Sequence, residues 1–234
     1  MRKNNEYASN SLHAKTIIID NGHGVETAGK RSPDGSLREF RWCRDFAKML
    51  KERLEYYGYN AVLLVPEDND IYLSARVKRA NKIYEDCNST DCILVSIHNN
   101  AAGDGSEWFN ATGFEVYTSP GNTKSDKLAE LMYQEASLFD IRLRKDYSDG
   151  DSDKEDDFTV LTNTLCPAVL TENMFMDSKK DIAYLNSEEG IHNLLKIHVN
   201  AIRRYFEDFN GTHQSWIDIY IKKQNAITND KGYF

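Results

Sequence analysis

A chain of 234 residues with 40% apolar and 11% aromatic residues is long enough to bury a full hydrophobic core in one domain, and its composition excludes long disordered stretches. A formal charge of -8, with Lys and Arg scattered among acids, argues against nucleic-acid binding, and no apolar run approaches membrane-spanning length. The cysteines Cys43, Cys87, Cys92 and Cys166 form no CxxC pair, which predicts buried thiols, not a disulfide framework or a thiolate metal site. The start, MRKNNEYASNSLHAK, has two basic residues but no apolar segment behind them; it predicts a protein held in the cytoplasm as synthesised.

Thr16–Asp20 is a short β-branched run followed at once by Asn21-Gly22-His23-Gly24, the pattern of a buried strand running into a glycine turn. From Leu37 the apolar residues Phe40, Cys43, Ala47, Leu50 and Leu54 recur at helical spacing, with Gly58 placed as the stop. A second strand, 61–65, and a helix from about Leu73 to Tyr84 lead to a third strand, 92–97, which delivers His98. A fourth strand, 114–117, a helix from Ser125 to Phe139, a fifth strand, 168–172, and a long helix from Glu188 to Phe209 complete the alternation. This order predicts a single α/β domain, with a twisted, mostly parallel sheet of about six strands and helices on both faces. We divide the chain into an N-terminal extension (1–14), a catalytic domain (15–209) and a C-terminal tail (210–234). The acidic run 146–157 reads as a solvated loop, and the aromatic tail as a short docked helix.

Ligands of open α/β sheets gather at the carboxyl ends of strands, and three polar residues are expected there. His23 follows the first strand, His98 ends the third and Glu172 ends the fifth, while Glu39 starts the first helix. Singly, each has an ordinary structural explanation: a turn for His23, the helix dipole for Glu39, a strand end for His98. Glu172 is harder to explain so, because a carboxylate leaving an apolar strand is costly to bury. Together they supply what a hydrolytic zinc site needs: two imidazoles, a carboxylate, an open position for water and a second carboxylate for proton transfer. Their spacing is not a local metal motif, and a non-catalytic binding domain of the same architecture competes with metal hydrolysis. His198 falls on the apolar face of the last helix and is expected to pack in the core.

Several separated segments, in order, carry a resemblance: Asp20-Asn21-Gly22-His23-Gly24, Glu39, Leu73-Ser74-Ala75-Arg76 through Asn81, Ser96-Ile97-His98-Asn99-Asn100, Gly113-Phe114-Glu115-Val116-Tyr117 and Pro167-Ala168-Val169-Leu170-Thr171-Glu172. Over roughly residues 15–207 the chain resembles the zinc-dependent N-acetylmuramoyl-L-alanine amidases, type 3, a family that includes cell-separation amidases and phage endolysins. The resemblance implies one zinc ion held by His23, Glu39 and His98, Glu172 as catalytic carboxylate, and peptidoglycan as substrate, cut between N-acetylmuramic acid and L-alanine. It implies a phage-type lysis enzyme acting on the wall after release, with a zinc peptidase of the stem peptide or a silent wall-binding domain as rivals. The chain departs from the family at Thr162, where many members have Arg, and in Glu172-Asn173-Met174-Phe175, where members continue Glu-x-Gly-Phe, so the group that holds substrate carboxylates or the reacting oxygen is unassigned; Arg144 and Lys145 are candidates by proximity in sequence. Arg76 is expected to hold a loop by hydrogen bonds.

Overall fold

The computed structural model describes residues 15–87 and 91–208; the proposed extension, and the tail beyond Asp208, lie outside them. In chain order the elements are β1 (Thr16–Asn21), α1 (Glu39–Tyr56), β2 (Asn60–Leu63), α2 (Leu73–Asp86), β3 (Cys92–Asn100), β4 (Phe114–Thr118), α3 (Lys124–Ala136), β5 (Lys154–Glu155), α4 (Thr159–Thr162), β6 (Ala168–Phe175), α5 (Lys179–Leu185) and α6 (Glu188–Asp208). The strands form one six-stranded sheet in the order β2-β1-β3-β6-β4-β5, parallel except where β4 runs against β6.

Because strand side chains alternate between faces, the continuous apolar runs of β1, β3 and β6 must be covered on both sides. Ile17, Ile19, Ile93, Val95, Ile97 and Val169 face a core shared with Cys43, Phe46, Leu50 and Leu54 of α1, Leu128 and Met132 of α3, and Leu194, Ile197 and Ile202 of α6. Ile18, Leu94, Ala168 and Leu170 face the other way, against Ala80 of α2 and Val160 and Leu161 of α4. The 43, 47, 50, 54 spacing is therefore the buried stripe of α1, and the helix stops where Gly58, at φ 87°, donates its N–H to Glu55 O at 2.9 Å. A capping box at Thr123 and Asp126 starts α3.

Several expectations change. His98 lies inside β3 and Glu172 inside β6, neither at a strand end, because the strands continue past their apolar runs to Asn100 and Phe175. The acidic run is not wholly solvated: Lys154 and Glu155 pair with Tyr117 and Thr118 as β5, and Asp153 is only 2% exposed. The short α4 and α5 interrupt segments with no long periodicity to announce them. All four cysteines are free; Cys43, Cys92 and Cys166 are buried and Cys87 is half-buried. His198 is fully buried, with Thr171 Oγ1 3.0 Å from its Nε2 and Leu194 O 2.8 Å from its Nδ1.

Candidate metal centre and active site

Sheet register places the site. His98 of β3 is the direct neighbour of Glu172 on β6, and Glu172 is in turn opposite Glu115 on β4, so the three polar side chains form a row across adjacent strands. His23 comes to the same place from the loop after β1, and Glu39 from the first residue of α1. Donor atoms of His23, Glu39 and His98 all lie within 4.8 Å of one another, the only such trio among the described residues. His98 Nδ1 is 3.1 Å from Glu39 Oε1, and His23 Nε2 is 3.3 Å from Glu39 Oε2, with the two imidazoles edge to face at 5.0 Å.

Glu39 is only 1% exposed, and its Oε1 accepts the Asn99 N–H at 3.1 Å, while its Oε2 has no aligned hydrogen-bond donor. Burial alone would raise this carboxyl, but the imidazoles of His23 and His98 outweigh it and hold Glu39 well below the ordinary range. Burial likewise opposes charge on His98, yet the Glu39 carboxylate raises it above the ordinary imidazole value. Two imidazoles drawn to one buried carboxylate with an unsatisfied oxygen form a donor set that a divalent cation fits, since the ion would satisfy all three groups at once. Glu172 behaves differently: burial, opposed by His98 and reinforced by Glu39, pushes it up to about 8, and its Oε2 is buried without a partner. A carboxyl poised near neutrality beside a metal donor set suits proton transfer in both directions.

The loop that carries His23 is held from behind. His23 adopts φ 58°, a left-handed conformation that is strained for a residue with a side chain. Its carbonyl accepts from Arg44 Nη2 at 2.9 Å and Arg76 Nη2 at 3.2 Å. Arg76 also reaches Asp20 Oδ1 and Asn21 O at 2.6 Å each, and Arg44 reaches Gly22 O at 3.3 Å. The expected loop-holding role of Arg76 is thus observed. Arg44 escaped sequence reasoning; its signal is an arginine directly after Cys43, on the buried stripe of α1. The glycines beside His23 are required by close approach: a Cβ on Gly22 would meet the His98 ring at 2.5 Å, and one on Gly24 would meet the Asp70 backbone at 2.0 Å.

His23, His98 and Glu172 open onto a cleft of about 820 Å³, walled by the loop 69–73, by Phe158 to Val160 around the start of α4, and by Lys30. Neither candidate for the absent arginine lines it. Arg144 forms an ion pair with Glu115 and sits 5.1 Å from the centre of the Phe175 ring, and Lys145 lies over the rings of Tyr133 and Tyr147. Thr162 is exposed, with its hydroxyl 3.3 Å from Phe158 O. Asn173 is buried and donates from Nδ2 to His98 O at 3.1 Å, supporting the strand that carries His98, while Met174, which stands where the family pattern has Gly, adopts φ 65°.

Known proteins share this arrangement of sequence and fold. The profile of the N-acetylmuramoyl-L-alanine amidase family matches residues 17–204. An N-acetylmuramoyl-L-alanine amidase, CwlM, of Bacillus licheniformis is 31% identical over 81% of this chain and 68% of its own length. The endolysin of Bacillus phage SPP1 is 28% identical over 81% of this chain and 65% of its own. The crystal structure of an N-acetylmuramoyl-L-alanine amidase from Clostridium difficile 630 superposes with a TM-score of 0.71 at 27% identity, covering 83% of this chain and 97% of that one. With a family match over most of its length, the same α/β domain and a His, Glu, His cluster in the cleft, this chain belongs to the N-acetylmuramoyl-L-alanine amidase family.

Proposed function

We propose that this chain is a zinc-dependent peptidoglycan amidase that hydrolyses the bond between N-acetylmuramic acid and L-alanine, using His23, Glu39 and His98 as metal ligands and Glu172 as the proton carrier. The observation that carries the reading is the pairing of a metal-competent trio with a second, electrostatically distinct carboxylate in one cleft. Zinc bound to such a trio supplies a Lewis acid for the scissile carbonyl and makes water acidic enough to react near neutral pH. The Glu172 carboxylate would accept the proton of the attacking water. When the carbon–nitrogen bond breaks, the same carboxyl returns that proton to the alanine nitrogen, which leaves as an amine and not as an amide anion. Glu39 and Glu172 divide the work by environment: the first stays ionised beside two imidazoles, and the second is held near its midpoint by burial. Likeness to the phage SPP1 endolysin supports a lytic role on the cell wall, after release from the cell that makes the protein.

The test is a digest of purified peptidoglycan with masses of the products. The proposed activity frees intact stem peptides beginning at L-alanine. Chelation stops the reaction and added zinc restores it, while Glu172→Gln retains about one equivalent of zinc and loses hydrolysis. Cleavage inside the stem peptide instead would identify a peptidase, and full activity in Glu172→Gln would remove that residue from the chemistry.

A further inference from the structure

The cleft has a cation with no assigned partner. Of its charged lining residues, Asp20, Glu26, Asp70 and Glu172 are acidic, and only Lys30 and Arg76 are basic. Arg76 is spent: it is 2% exposed, and its guanidinium is divided among Asp20, Asp70 and the carbonyls of Asn21, His23 and Ile71. Lys30 is half-buried, and its ammonium forms no hydrogen bond or ion pair within the described structure, though it lies near enough to Glu172 to favour that residue's ionised form. Its backbone, by contrast, is fixed. Lys30 O accepts the N–H of Glu39 at 3.0 Å, and the preceding Gly29, at φ 74°, is packed so closely on Gly105 that a Cβ there would meet Gly29 O at 2.7 Å. A lysine with an anchored backbone and a free head, in the wall of a cleft, is arranged to meet an anion brought by a ligand.

We propose that Lys30 is a specificity-determining residue that binds a free carboxylate on the peptide portion of the substrate. The proposal rests on the peptidoglycan reading above. One ammonium among four acids suits a single carboxylate; a polyanion such as a phosphate chain would be repelled by Asp70, Glu26 and Glu172. Phe158, Ile71 and the exposed Tyr72 and Leu73 form the less polar side of the same cleft, so a ligand with one charged end and an apolar remainder is oriented by the two sides together. Lys30 is the one basic side chain of the cleft not already bound, since none of Thr162, Arg144 and Lys145 lines it.

The test uses two matched muramoyl peptides, one with its peptide carboxylates free and one with them amidated. Calorimetry on the zinc-loaded Glu172→Gln protein measures binding without turnover. We expect the free acid to bind about 10-fold more tightly than the amide at low salt, and the preference to shrink as salt is added. Adding Lys30→Met should erase the preference while leaving the affinity for the amide unchanged, and Lys30→Arg should restore most of it. In otherwise wild-type protein, Lys30→Met should raise KM for the free acid and leave KM for the amide unchanged, while any change in kcat through Glu172 is the same for both peptides. Equal affinity for both peptides, or an equal loss for both in Lys30→Met, would overturn the proposal, as would a fall in kcat alone. Failure of the amidase reading is separately visible, as absence of cleavage of either peptide by the wild-type protein.

Discussion

Replacing Arg76 with methionine keeps most of the side chain's apolar bulk and removes the fork that binds Asp20, Asn21 O and His23 O. Asp20 is 1% exposed and would retain only the Ser96 hydroxyl, 2.7 Å from its Oδ2, so a nearly bare buried carboxylate remains. Breaking such a pair costs about 3–5 kcal/mol, a large part of the stability of a domain of this size. A second effect is local. His23 would keep one of its two arginine donors, from Arg44 at 2.9 Å, and its left-handed backbone would be less firmly held. Loss of such outer support weakens a metal site by about 10–100-fold. Urea unfolding monitored by tryptophan fluorescence, and competition for zinc against a chelating dye, measure the two effects separately. Arg76→Lys should fall between, since a point charge can satisfy Asp20 but not the carbonyls as well. An Arg76→Met protein within about 1 kcal/mol of wild type would refute the energetic argument. Lower stability with unchanged zinc affinity would refute the link between the clamp and His23.

Two buried groups should tilt the stability curve in opposite directions with pH. Asp153, pushed up to about 7 by burial and by the neighbouring Asp151 carboxylate, binds its proton more tightly folded than unfolded. Its contribution is therefore fully present below about pH 4 and is lost as pH rises through 7, a change of about 2–4 kcal/mol. Asp153→Asn should flatten that part of the curve and raise the urea midpoint at pH 8; parallel curves for the two proteins would contradict it. His198, pushed down to about 4 by burial, has the other sign: its contribution is present above pH 6.5 and lost as pH falls through 4, about 3 kcal/mol in all. His198→Leu should remove that acid limb, measured as the difference in unfolding free energy between pH 7 and pH 4; an unchanged difference would rule out His198 as its source.

Much of the fold is legible because its core strands carry continuous β-branched runs and its long helices carry a regular apolar stripe. The stripe from Cys43 to Leu54 and the run from Thr16 to Asp20 leave little choice of structure. The four residues singled out for chemistry also come together, His23, His98 and Glu172 lining one cleft and Glu39 buried against the two imidazoles, since polar groups next to such runs are costly unless they have a use. What sequence periodicity conceals is decided by tertiary pairing. Asp153 looks solvated among its acidic neighbours, but two residues of strand pairing draw its segment against β4. Glu172 looks terminal because the apolar run ends there, whereas hydrogen bonding between β3 and β6 continues beyond it. Arg44 and Lys30 look like ordinary surface charges until the loop after β1 folds over one and the cleft opens beside the other.

The position of Glu172 within β6 turns the sheet into a ruler. Adjacent strands sit about 4.8 Å apart, so the spacing of the Glu172 and His98 backbones is set by the ladder and not by a loop that could drift. A slip of β6 by a single residue would send Glu172 to the opposite face and put Thr171 or Asn173 in its place. On the role proposed for Glu172, misregistered chains, however compact, would be inert, and turnover per molecule of a refolded preparation would count those whose central strands had met correctly.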